Sequence, residues 1–405
     1  MKTNLLRPIV LLAASTWIIS MTSTVTAGEK LKIFILAGQS NMVGHANPHT
    51  MATLYHSDDP RDEALSQLVF KKGSGLSKEK LHEQLALGRK IDELSGGISN
   101  DKLKAMTDGS EKTALEAEIQ KLKDLHEAYK EQVKASSVVS DRVYIHSTAD
   151  RSKKSGKLGV GYGGGGKKMG PEYGFGLSMA QKIDGPILLI KTSWGGKSLN
   201  YDFRPPSAGT YELNEKEKAG DKAEEIEKKA GLFYRMMRAS IDGVLNHLGE
   251  FHPAYDPNAG HEIAGFVWFQ GFNDQFSPEF RDNYKDNMIS FIKDVRSICK
   301  VPNMPFIIGV LGTPRTAEKV AENAVSIGQR EAAKALGIEN NVIAVESYKD
   351  YSLFSHEIFS KGWPEHYHEW DLVGSDRPYH YLGSGTFFVR LGDSFAKSMT
   401  KLLKK

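Results

Sequence analysis

A serine, a histidine and an aspartate stand where acyl-transfer chemistry could use them. Ser40 closes the apolar run of FILAGQSNMVG (34–44). A serine between a strand and a helix start has its backbone N–H in the positive field of the helix terminus. That pairs a hydroxyl with a donor for a developing oxyanion. The same pattern suits a plain helix cap, where Ser and Asn are favoured. Asp376 and His380 lie four apart in GSDRPYHYLGSGT (374–386). Histidine takes and returns a proton near neutral pH, and a nearby carboxylate can fix its tautomer through Nδ1.

Two further polar blocks offer donors. In KTSWGGKSLNYDFRPPSAG (191–209), Gly195-Gly196 lets backbone approach a ligand closely, and either N–H could face an oxyanion. Trp194, Lys197, Asp202, Phe203 and Arg204 read as a sugar-facing surface, an aromatic with hydrogen-bonding groups. In WFQGFND (268–274), Gln270 and Asn273 carry amides that donate without titrating. Asp274 is an orienter or a helix cap.

These blocks need a frame. KIFILAG (32–38), PILLIKTSW (186–194), AGFVWFQG (264–271), PFIIGVLG (305–312) and NVIAVES (341–347) are near-continuous apolar runs, the pattern of parallel strands covered on both faces. Amphipathic helices are predicted between them, with one stripe through Met237, Ile241, Val244 and Leu248 and another through Phe280, Tyr284, Met288, Phe291 and Val295. Strand–helix alternation implies an open α/β sheet with right-handed crossovers, and ligands of such sheets sit beyond the carboxyl ends of the strands. Every polar block falls at such an end or just before the last helix.

Residues 72–136 break the rhythm, being rich in Lys, Glu and Leu. Leu81, Leu85 and Ile91 mark one helix face, and Leu115, Ile119, Leu122, Tyr129 and Val133 a longer one. This predicts a helical hairpin inserted into one α/β domain spanning 28–405, packed on the body or closing over the site as a lid. The start reads as an export signal: Lys2 and Arg7, an apolar core over 9–21, and Val25-Thr26-Ala27 for cleavage after Ala27. A periplasmic or extracellular location follows, with no integral membrane span expected. The net charge of +3 gives no strong pull toward nucleic acid. The single cysteine, Cys299, excludes an internal disulfide and any cysteine-based metal cluster. Nothing in the pattern signals an oligomeric state.

Together the blocks resemble the SGNH hydrolases, and within them the sialate O-acetylesterase-like group that includes the family 6 carbohydrate esterases. GQSNM resembles that group's first block, MGPEYGFG (169–176) its GPE motif, KTSWGGKSL its glycine block, WFQGFND its third block and SDRPYHYLG the block holding the histidine. The resemblance implies a three-layer α/β/α sandwich with a central parallel sheet, flavodoxin-like, and metal-free, cofactor-free hydrolysis of acetyl esters on carbohydrates. Carried over, Ser40 is the nucleophile and His380 the base. The Ser40 and Gly196 amides, with Asn273 or Gln270, are the oxyanion donors. Gln39, Asn41, Trp194, Lys197, Arg204 and Asp274 are expected to face substrate. Two departures bear on the acid: Asp376-x-x-x-His380 replaces the usual Asp-x-x-His, and Phe272 stands where the esterase form often has glutamate. Asp376 is then the favoured orienter, with Asp274 in reserve. A non-catalytic glycan-binding module, or a lipase or thioesterase on the same fold, are the competing readings.

Two other stretches look chemical. GYGGGGKK (161–168) nearly matches a phosphate loop but has Lys168 where the Mg²⁺-binding hydroxyl belongs, so it reads as a glycine loop bordering the site. PEHYHEW (364–370) offers His366, His368 and Glu369 but lacks an evident metal-site spacing.

Overall fold

The computed structural model describes residues 28–404, so the expected export signal lies outside the described residues. Seven strands form one sheet: β1 (Leu31–Gly38), β2 (Val143–Ala149), β3 (Ser152–Lys157), β4 (Ile187–Ser193), β5 (His261–Phe269), β6 (Phe306–Val310) and β7 (Val342–Glu346). Their order is β3-β2-β4-β1-β5-β6-β7. All neighbours are parallel except β2 and β3, which are antiparallel. The sheet is therefore mixed, where the sequence predicts a parallel one.

The two strands absent from the sequence reading are the ones with the weakest apolar signal. In β2 the run of Val143 and Ile145 is interrupted by His146, Ser147 and Thr148. The edge strand β3 reads SKKSGK and exposes Lys153 and Lys154, a composition that discourages further strand pairing at an open edge.

The helices that matter here are α1 (Ser40–Val43), α2 (Lys78–Ser95), α3 (Ser110–Ala135), α4 (Pro171–Ala180), α5 (Leu232–Leu245), α6 (Tyr284–Cys299), α7 (Ala324–Leu336) and α8 (Gly385–Leu403). Alternation along β1 sorts the core into two layers. Phe34 and Leu36 join a cluster with Phe175 of α4 and Phe387, Phe388 and Phe395 of α8. Ile33 and Ile35 join the opposite cluster with Met237 and Ile241 of α5, Phe291 of α6 and Val325 of α7. The result is the α/β/α sandwich the sequence predicts.

The inserted hairpin is α2 and α3, with a short helix, Asp101–Ala105, between them. Ser77 caps α2 by accepting from the Lys80 N–H, and Gly96 ends it in the left-handed region at φ 82°. Ile119, Tyr129 and Val133 are buried, whereas Leu115 and Leu122 toward the start of α3 are only half-buried. Ion pairs tie the hairpin to the segment before Asp376: Lys130 to Asp371 at 2.6 Å, Asp92 to His368 at 2.7 Å and Arg89 to Glu369 at 2.7 Å. The hairpin thus braces the back of the loop that carries Asp376 and His380. His368 and Glu369 of PEHYHEW are engaged in that bracing.

Candidate active site

Strand register brings three polar blocks level. Gly38, the last residue of β1, pairs with Ser193 on one side and Phe269 on the other. The turn after β4 and the loop after β5 therefore flank Ser40, which opens α1. Gly38 explains why the apolar run stops at a glycine: a Cβ there would lie 2.1 Å from the Phe269 carbonyl oxygen. The α1 turn is pinned from below by Lys191 of β4. Its ammonium donates to the Val43 carbonyl at 2.8 Å and the Tyr162 carbonyl at 3.0 Å, and pairs with Glu172 at 2.7 Å. Both charged side chains are fully buried. Glu172, from MGPEYGFG, also accepts the Gly170 N–H at 2.9 Å.

A methyl group placed on Gly195 would come 3.8 Å from the Ser40 Cβ, so the glycine turn lies against the serine. The Gly195 N–H donates to Asp150 at 2.7 Å and is spent. Gly196, at φ 70°, occupies the left-handed region that glycine tolerates best. Among the described residues, the Ser40 N–H, the Gly196 N–H and Asn273 Nδ2 have no protein acceptor.

Asn273 is oriented by Gln39. Gln39 Nε2 donates to Asn273 Oδ1 at 2.9 Å, while Gln39 Oε1 accepts the Gly271 and Asn273 N–H groups at 3.0 and 3.3 Å. The amide of Asn273 therefore presents its nitrogen outward.

Asp376 reaches His380 despite the extra residue between them. His380 Nδ1 lies 3.2 Å from Asp376 Oδ1. Just past His380, the turn Pro378–Gly383 puts Tyr381 at φ 50° and Leu382 at φ 63°. Such conformations cost about 1–3 kcal/mol each in a non-glycine residue. Burial holds them. The Tyr381 ring stacks on Phe387 at 3.9 Å, and its hydroxyl accepts the Gly312 N–H at 2.9 Å. Asn41 Nδ2 donates to the Tyr379 carbonyl at 3.1 Å and joins the serine turn to the histidine loop.

His45 is the residue sequence reasoning missed. Its Nδ1 lies 3.2 Å from Asp376 Oδ2, and its ring stacks on His380 with centroids 3.9 Å apart and planes 12° from parallel. Lys168, at the end of the glycine loop, reaches the same carboxylate at 3.4 Å. Burial opposes charge on Asp376, but the His380 and His45 rings at its two oxygens and the Arg377 N–H, which donates at 2.7 Å, outweigh it and hold its carboxyl well below the usual carboxylate range. His380 is displaced downward, by burial first and by its neighbours His45 and Lys168, against the pull of Asp376. His45, Asp376 and His380 bring ligand atoms within 4.8 Å of one another. Imidazole lone pairs lie in the ring plane, however, and a cation in the plane of one stacked ring lies out of the plane of the other. The arrangement suits a shared carboxylate better than a shared metal.

Several expected site residues serve the scaffold instead. Gln270 donates both amide hydrogens, to the Lys197 carbonyl at 2.9 Å and to Asp274, and its Oε1 accepts from Tyr284 at 3.0 Å. It has nothing left for an oxyanion. Asp274 is fully buried and accepts the Leu199 and Asn200 N–H groups at 2.9 and 3.0 Å. It moulds the loop after the glycine turn and neither orients His380 nor faces substrate. Burial pushes its carboxyl up to about 7, against its hydrogen bonds. Arg204 spends its guanidinium on the carbonyls of Asn200, Ala208, Gly209 and Thr210. Gln39 and Asn41 are buried and engaged as described, and Phe203 is buried beneath Trp194. Trp194 and Lys197 do line an open cleft of about 900 Å³ with Asp150, Arg151, Gly195 and Phe233. Lys197 lies over the Phe233 ring at 4.2 Å and pairs with Asp202 at 3.4 Å.

The family model described as carbohydrate esterase, sialic acid-specific acetylesterase matches residues 145–352. Ser40, His45, Asp376 and His380 lie outside that span. No curated protein matches the chain. Solved structures similar to it include a protein from Arabidopsis thaliana (14% identity, TM-score 0.43, 92% of this chain and 98% of that one). A carbohydrate acetylesterase from Xanthomonas citri is 13% identical (TM-score 0.36, 78% and 49%). NanS is 10% identical (TM-score 0.36, 80% and 79%).

Proposed function

The chain belongs to the carbohydrate esterase, sialic acid-specific acetylesterase family, and on that premise we propose that it is an exported serine esterase that removes acetyl groups from sugars. His380 Nε2 takes the proton of Ser40 Oγ as the oxygen attacks the acetyl carbonyl. Asp376, held ionised, faces Nδ1 and stabilises the imidazolium that forms. The tetrahedral oxyanion is met by the Ser40 and Gly196 N–H groups and Asn273 Nδ2. Collapse breaks the ester C–O bond. His380 returns the proton to the leaving sugar oxygen, and an acetyl-serine remains. Water, deprotonated by His380, then releases acetate and restores Ser40.

The observation that carries this reading is the Asn41–Tyr379 hydrogen bond at 3.1 Å, which joins the serine turn to the loop where Asp376 faces the base. No helix among the described residues is long and apolar enough to cross a membrane, and the N-terminal pattern supports export. The test is acetate release from a chromogenic acetyl ester, with intact-mass detection of one acetyl group on the protein. Ser40→Ala and His380→Ala should each abolish turnover, and Ser40→Ala should also abolish the acetyl adduct. Full activity in both variants ends the proposal.

A further inference from the structure

An aromatic rim runs outward from the base. The Tyr379 ring meets His380 edge-on with centroids 4.5 Å apart, Phe272 lies 5.8 Å from Tyr379, and Phe276 lies 5.2 Å from Phe272. Phe276 is 67% exposed and Tyr379 43% exposed. Among the described residues no other Phe, Tyr or Trp is exposed, the other exposed large apolar residues being aliphatic apart from Met236. Isolated exposed apolar residues need no explanation. A contiguous aromatic run beside a reactive imidazole does, because exposed apolar patches mark binding sites.

The chemistry of acyl transfer says what belongs there. His380 protonates the leaving oxygen, so the sugar bonded to that oxygen must sit on the His380 side. Tyr379 adjoins His380, and Phe272 and Phe276 extend that run of ring contacts on the loop that also supplies Asn273. Pyranose rings present flat C–H faces that stack on aromatic rings. One ring would occupy Tyr379 alone, whereas the three rings turn their faces in steps, 39° from Tyr379 to Phe272 and 77° from Phe272 to Phe276, which fits a glycan chain that twists from sugar to sugar. We propose that Tyr379, Phe272 and Phe276 form a subsite for the next pyranoses of a glycan chain, so that the preferred substrate is an acetylated oligo- or polysaccharide rather than a free acetylated monosaccharide. This rests on the acetylesterase reading and names its substrate class.

The test compares acetylated xylohexaose, cellohexaose and mannohexaose with the matching acetylated monosaccharides. Vinyl acetate serves as a reference ester, its leaving group being unable to stack. At least one hexasaccharide should show a KM lower by on the order of tenfold than its monosaccharide, and Phe276→Ala and Phe272→Ala should erase that advantage. Leu353→Ala, an exposed apolar residue on a different segment, should retain it. Equal KM values for every pair in the wild type, or an advantage intact in Phe276→Ala, overturns the proposal. Should the wild type not hydrolyse vinyl acetate, the acetylesterase reading fails. The rim is then judged by calorimetric titration of the unacetylated hexasaccharides. Binding weakened by Phe276→Ala upholds it, and binding unchanged in that variant, or absent from the wild type, ends it.

Discussion

His45 and His380 stack face to face, and each presents Nδ1 to a different oxygen of Asp376, at 3.2 Å in both cases. One carboxylate thus serves two imidazoles, and Lys168 stands at its second oxygen. This arrangement sets the protonation of the base. As the proposed base, His380 works only while neutral, and its value is depressed by burial first and by His45 and Lys168 beside it. The acid limb of kcat/KM should therefore lie below the ordinary histidine value of about 6.5. His45→Ala opens the ring to water and removes a neighbour that holds the His380 value down, leaving Asp376 to pull it upward. The limb should move to higher pH, and a pH–rate profile of both proteins reads the shift directly. A variant profile superimposable on the wild type would show that His45 has no part in tuning the base.

Asn273 and Gln270 look alike in sequence but should behave differently. Asn273→Ala should lower kcat by about 10²–10³-fold with little change in thermal midpoint. Gln39→Ala should lower kcat in the same direction, because it frees the Asn273 amide to rotate. Gln270→Ala should instead destabilise the fold by about 1–3 kcal/mol, since Asp274 and Tyr284 lose partners inside the protein. Steady-state kinetics beside urea titration separates the two behaviours.

The Lys191–Glu172 pair beneath α1 is a buried ion pair whose ammonium also holds the Val43 carbonyl. Glu172→Gln leaves an uncompensated buried charge and should cost about 3–5 kcal/mol. Replacing both partners with apolar residues of similar volume should recover much of the stability. Activity should be low in the double variant, because Val43 has then lost its donor, Lys191.

Asp371 links the inserted hairpin to the body. Burial raises its carboxyl, but the charges of His49 and Lys130 outweigh that and leave it depressed. A depressed carboxylate contributes stability above its unfolded value of about 3.9 and loses it as pH falls through the folded value. Asp371→Asn should be less stable than the wild type at pH 7, with a shallower decline below about pH 4. Thermal midpoints across that window check both halves.

What the sequence disclosed follows from how each signal arises. Five strands were legible because a strand covered on both faces must be apolar along its length. Strands β2 and β3 were not, because one has a polar end and the other is a solvated edge. Ser40, Gly196, Asn273, Asp376 and His380 could be proposed because strand ends in such sheets converge. His45 could not: it sits in a loop and gains meaning only from Asp376, far along the chain. Gln270, Asp274 and Arg204 were misread for a general reason. The polar groups that bind ligands are the same ones that satisfy buried backbone N–H and C=O groups, and composition does not say which demand a given residue meets.

The position of β1 between β4 and β5 has a consequence for heat inactivation. Loss of order in a sheet begins at its margins, here β3 and β7, where hydrogen bonds are made on one side only. The serine turn, the glycine turn and the Asn273 loop hang from the three innermost strands. Fraying at the margins should leave turnover intact, and the temperature at which activity disappears should coincide with cooperative melting of the whole domain rather than precede it.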